Sequence, residues 1–169
     1  SDSPDSDLLS LLRIDMSRNT PGPVAASGVQ GANGEVYASR DSLYVVSTNW
    51  SWETDSDLPW NNSRIYKFDL NQRDMPLVAT GVVEGYAVNQ FAMDEYGNQF
   101  RIATTSSSGW WGGRTYNSLF VLEQQGTNLV ASGVLTNLAP SERIYSVRYV
   151  GDLAYMVTFR QTDPLWVID

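Results

Sequence analysis

Trp50, Trp52 and Trp60 lie in one polar stretch of this 169-residue chain and Trp110 and Trp111 in another, so five of its six tryptophans fall in two short segments. An indole left open to water can stack on a sugar ring, an apolar side chain or a proline-rich segment, and its N–H fixes the orientation of what it holds. Arg114 and Arg160 could place planar donors beside these rings, and Tyr116 adds a phenol. The eight residues Trp50, Trp52, Trp60, Trp110, Trp111, Arg114, Tyr116 and Arg160 are therefore the candidate ligand-binding set. The competing reading is that each tryptophan folds back to cap the small core of its own loop.

Other chemistries are narrowed by what the chain lacks. There is no cysteine and no histidine. Thiolate chemistry and disulfides are excluded, and zinc or copper sites lose their usual ligands. A general acid or base would have to be a carboxylate, Tyr, Lys or Arg, and no spacing singles out a carboxylate pair. Asp55-Ser-Asp57 opens like a calcium loop, but Pro59 stands at the third ligand position, so no metal is assigned. No motif implies a cofactor. The net charge of −8 repels phosphate backbones, which argues against nucleic acid as a partner.

Two tryptophan-bearing loops at comparable places require a repeating scaffold, and the chain repeats itself. Ala26-Ser-Gly-Val29, Ala79-Thr-Gly-Val82 and Ala131-Ser-Gly-Val134 recur at offsets of 53 and 52. Ile14-Asp15, Phe68-Asp69, Leu122-Glu123 and Ile168-Asp169 each close an apolar run with an acid, which reads as a structural turn position. Leu43-Tyr-Val-Val-Ser-Thr48, Phe100-Arg-Ile-Ala-Thr-Thr105 and Ala154-Tyr-Met-Val-Thr-Phe159 form a third series in the same order.

Each repeat reads as four short strands, here lettered A to D. In the second full repeat, strand A is expected over residues 86–93, ending in the turn signal Asp94-Glu-Tyr-Gly-Asn98. Strand B follows over 99–105, strand C over 118–123 and strand D over 129–134. In the third, Gly151-Asp152 is a two-residue hairpin turn between residues 144–150 and 153–159. No helical period of useful length is present, and the chain reads C-D, A-B-C-D, A-B-C-D, A-B-C.

Four-stranded units of this length predict an all-β fold, a β-propeller of four-stranded antiparallel blades present as an incomplete set of about three. A stack of sandwiches is the alternative. The expected division of the single domain 1–169 is a disordered acidic tail at 1–7, a partial blade at 8–34, blades at 35–85 and 86–139, and a partial blade at 140–169. Open blade edges leave oligomerisation through strand pairing as an option. No run of 18 apolar residues occurs, so no transmembrane segment is predicted.

Asn89-Gln-Phe-Ala-Met-Asp-Glu-Tyr96 with Phe100-Arg-Ile-Ala-Thr-Thr105, and Glu142-Arg-Ile-Tyr-Ser-Val-Arg148 with Val157-Thr-Phe-Arg-Gln-Thr-Asp-Pro-Leu165, resemble a family of secreted prokaryotic β-propeller domains distantly related to WD40 repeats. The resemblance runs from about Leu43 to Asp169. It implies a propeller fold, an extracellular or periplasmic location and a continuation beyond residue 169, but no catalytic residues.

Up-and-down alternation puts the B–C and D–A loops on one face of a blade ring and the A–B and C–D loops on the other. The tryptophan loops are both B–C loops, of neighbouring blades. Arg143, Arg148 and Arg160 are expected to pair with acids near the ring. The function that follows is non-catalytic binding of a carbohydrate, peptide or protein through this face. A carboxylate-dependent hydrolase or lyase and a purely structural surface domain are the alternatives.

Overall fold

The computed structural model describes residues 8–17, 19–30, 34–50, 61–107, 114–159 and 165–169. Among them are thirteen strands and one short 3-10 turn. Strands β1 (Leu8–Asp15) and β2 (Gly22–Gln30) form a hairpin. Strands β3 (Glu35–Ala38), β4 (Ser42–Trp50), β5 (Asn61–Asp69) and β6 (Leu77–Glu84) form one antiparallel blade. Strands β7 (Met93–Tyr96), β8 (Gln99–Ser107), β9 (Thr115–Gln125) and β10 (Asn128–Leu138) form the next. Strands β11 (Arg143–Val150), β12 (Leu153–Phe159) and β13 (Leu165–Ile168) form a third, three-stranded sheet. The order is that of four-stranded propeller blades, about three in number.

The burial pattern explains why strands with adjacent apolar residues are used. Tyr44, Val45 and Val46 are consecutive in β4 and all are buried, which only a strand covered on both faces permits. One face carries Tyr44, Val46 and Ile65 into the main core with Phe100 and Ile102 of the second blade and Val147 and Met156 of the third. Tyr44 and Phe100 stack at 4.1 Å. The other face carries Val45, Tyr66 and Phe68 onto Leu9, Leu11 and Val29 of the first hairpin. Burying each such large side chain stabilises the fold by roughly 1.5–3 kcal/mol relative to exposure.

Strand A of the second blade differs from the expectation. Residues 86–92 are a link, tied by mutual backbone hydrogen bonds between Tyr86 and Thr105 and by a 3-10 turn at Gln90–Ala92 capped by the Asn89 side chain. The strand is Met93–Tyr96, and the turn is only Gly97-Asn98, both with positive φ (57° and 69°). The apolar residues that suggested a strand, Ala87 and Ala92, are buried because the link itself lies against the core.

Polar groups fasten neighbouring blades. Glu95 in β7 accepts hydrogen bonds from Tyr44 (2.6 Å), Ser42 (3.2 Å) and Ser39 of the first blade, and lies 3.5 Å from Lys67. Arg101 in β8 pairs with Asp94, donates to the Gly151 carbonyl of the third blade at 2.8 Å and lies between the rings of Tyr96 and Tyr149. The acids that end strand C serve turns. Asp15 accepts from the Ser17 amide, and Asp69 from the Asn71 amide and the Gln72 side chain. Glu123 instead takes the Gln99 amide across the strand pair.

Candidate functional site

The ends of β4 and β8 and the starts of β5 and β9 carry the B–C loops of the two full blades, and the link that leaves β6 crosses between them. Three contacts to the link's backbone fix this crossing. The Gly85 amide donates to the Asn61 carbonyl at 2.9 Å, the Ser63 hydroxyl donates to the Gly85 carbonyl at 2.7 Å, and Tyr86 pairs with Thr105. Gly85 has φ +85°, and a Cβ there would lie 2.7 Å from the Thr105 carbonyl oxygen, so only glycine allows the link to pass.

A matching device recurs one blade on. Thr48 and Ser63 are 3.2 Å apart in the first blade, and Ser63 holds the following link. In the second, the Thr105 hydroxyl donates to Asn117 at 2.7 Å, and Asn117 donates to the carbonyls of Leu138 (3.0 Å) and Glu142 (3.3 Å). Short polar side chains at these strand ends hold the next D–A link, which explains why Ser63, Thr105 and Asn117 are buried although polar.

Above this layer lies a partly buried carboxylate. Glu84, the last residue of β6, accepts from the Ser106 hydroxyl at 3.0 Å and from the Tyr116 phenol. Ser106 also lies 2.9 Å from the Asn61 side-chain oxygen. The Asn61 amide nitrogen is fully buried and has no hydrogen-bond partner among the described residues. Burial, then the adjacent Glu84 acceptor, pushes the Tyr116 phenol above its ordinary pKa of 10.0, so it stays a donor at neutral pH. Trp50, opposite Asn61 at the end of the β4–β5 pair, is half-exposed (49%) and rests against Tyr86 at 5.6 Å between ring centroids.

Of the sequence-based set, Trp50 and Tyr116 therefore sit at the described edge of this face, with Arg114 exposed just before β9. Trp52, Trp60, Trp110, Trp111 and Arg160 lie outside the described residues, as do Asp55 and Asp57. Glu84, Tyr86 and Ser106 were not singled out from sequence. Arg148 does not meet an acid among the described residues. Its guanidinium lies over the Phe91 ring at 4.2 Å and donates to the Val147 carbonyl. Among the described residues no helix is long and apolar enough to cross a membrane.

The repeated blades, with an A strand first and the links crossing between them, have a counterpart in known proteins. Residues 1–169 match the family described as beta propeller domain. The chain belongs to this family. An uncharacterized protein of Methanocaldococcus jannaschii is 45% identical over 92 residues, 54% of this chain and 14% of that protein. An uncharacterized protein of Archaeoglobus fulgidus is 38% identical over 107 residues, 62% of this chain and 16% of that protein. The chain thus spans a small part of the length of the curated relatives it matches. No solved structure matches it.

Proposed function

We propose that this propeller domain is a non-catalytic recognition module, displayed outside the cell or in the periplasm, that binds a carbohydrate, peptide or protein through its B–C and D–A loop face. The observation that carries the reading is Trp50, half-exposed at a strand end and backed by Tyr86. A half-exposed ring braced by a neighbouring ring is a ready stacking surface whose side-chain entropy is already restricted. The Glu84, Ser106 and Tyr116 group on the same rim supplies oriented polar atoms. The remaining tryptophans of the two loops would extend this aromatic surface.

The test is a glycan and peptide array probed with the protein and with its Trp110→Ala/Trp111→Ala variant. Discrete ligands captured by the unaltered protein and lost in the variant support recognition. An absence of binding by both, with a drop of several degrees in the variant's thermal midpoint, would mean that the tryptophans cap their loops and the domain is structural.

A further inference from the structure

A cavity of about 320 Å³ lies where the first strands of the two full blades and of the third sheet converge, lined by parts of β3, β7 and β11 and by the link before β7. In a propeller these are the strands nearest the ring axis, so the cavity is axial and separate from the loop face described above. Its size is at the lower end of the range for small-molecule sites, enough for one sugar or a dipeptide.

The charges around it are unequal. Asp94 lines the cavity but is neutralised by Arg101, whose Nε donates to it at 3.1 Å. Arg148 also lines the cavity and meets no carboxylate among the described residues. Among the described residues one of its five N–H donors is used, by Nη1 on the Val147 carbonyl at 2.7 Å. Its plane lies over the ring of Phe91, itself half-exposed (49%) in the cavity wall. Stacking restricts the guanidinium before any ligand arrives, so less freedom is lost when its free donors are engaged. In a chain of net charge −8, an anion would be drawn here only by such a local, unpaired cation.

We propose that this axial cavity binds a carboxylate, gripped by the Arg148 guanidinium on its Phe91 platform. A planar monoanion matches the guanidinium fork, with two parallel N–H···O bonds. A phosphate dianion is less well served by one arginine beside Asp94. The carboxylate can belong to an acidic sugar or to a peptide C-terminus, and the two are separated by choice of probe.

The experiment is a titration followed by backbone and arginine side-chain NMR. The probes are glucuronate against glucose and N-acetylglycine against N-acetylglycinamide. The expected result is a saturable perturbation of Arg148 and Phe91 signals by at least one carboxylate and not by its neutral counterpart. Whichever carboxylate binds identifies the source. Arg148→Gln should weaken binding at least tenfold, with an unchanged spectrum elsewhere because the side chain is exposed. Phe91→Leu should weaken it several-fold and serves as the second variant. The proposal is overturned if neither carboxylate gives a saturable shift, if the neutral probes bind equally, or if Arg148→Gln binds as well as the unaltered protein.

Discussion

Tyr116 of the second blade donates its phenolic hydrogen to Glu84 of the first. This bond joins the start of β9 to the end of β6 and orients a carboxylate at the edge of the proposed recognition face. Tyr116→Phe leaves Ser106 as the donor to Glu84 and is expected to lower stability by about 1 kcal/mol. The raised phenol pKa gives the sign of the pH effect. Folding favours the neutral phenol, so its contribution is complete below pH 10.0, the ordinary value, and is lost as pH rises through the folded value. Denaturant melts of both proteins at neutral and strongly alkaline pH check this, since the gap between them should narrow in alkali.

Glu95 gives the opposite dependence. Burial pushes its carboxyl up, but hydrogen bonds from Ser39, Tyr44 and Ser42 and the Lys67 charge outweigh burial and hold it below its ordinary 4.5. Its contribution is present above pH 4.5 and is lost as pH falls through the lower folded value. Glu95→Gln should cost about 1–3 kcal/mol at neutral pH, because it loosens a hub that ties two blades. The difference from the unaltered protein should shrink on acidification, as measured by denaturant midpoints across the acid range.

The link between the blades supplies a backbone test. Gly85→Ala places a methyl 2.7 Å from the Thr105 carbonyl oxygen at φ +85°, and should destabilise by roughly 2–4 kcal/mol. Gly97→Ala has a similar sign of φ (+57°) but open space around it, and should cost only about 1 kcal/mol. Thermal midpoints of the two variants should therefore fall in that order. Equal losses would mean that φ alone matters and that the close passage past Thr105 does not.

The blades were legible in the sequence because their strands are short, repeated and separated by turn residues. Gly151-Asp152 between β11 and β12 shows this directly. Strand A of the second blade was misplaced because Ala87 and Ala92 are apolar for a different reason. They bury a link, and periodicity cannot separate a buried link from a buried strand. Of the polar half of the loop face, Tyr116 was legible but its partner Glu84 was not. Glu84 and Tyr116 are 32 residues apart and on different blades, and only packing brings them together. Arg148 was expected to find an acid near the ring, yet Asp94, which lines the same cavity, is held by Arg101.

On the proposed recognition surface, Trp50 is the described anchor. The most direct measurement is the affinity of Trp50→Ala for the strongest ligand found on the arrays, taken with its thermal midpoint. Affinity should fall at least tenfold, as expected for a truncated aromatic anchor, with the midpoint nearly unchanged because the ring is half-exposed. Unchanged affinity, or a midpoint several degrees lower with no ligand for either protein, would contradict recognition through this face.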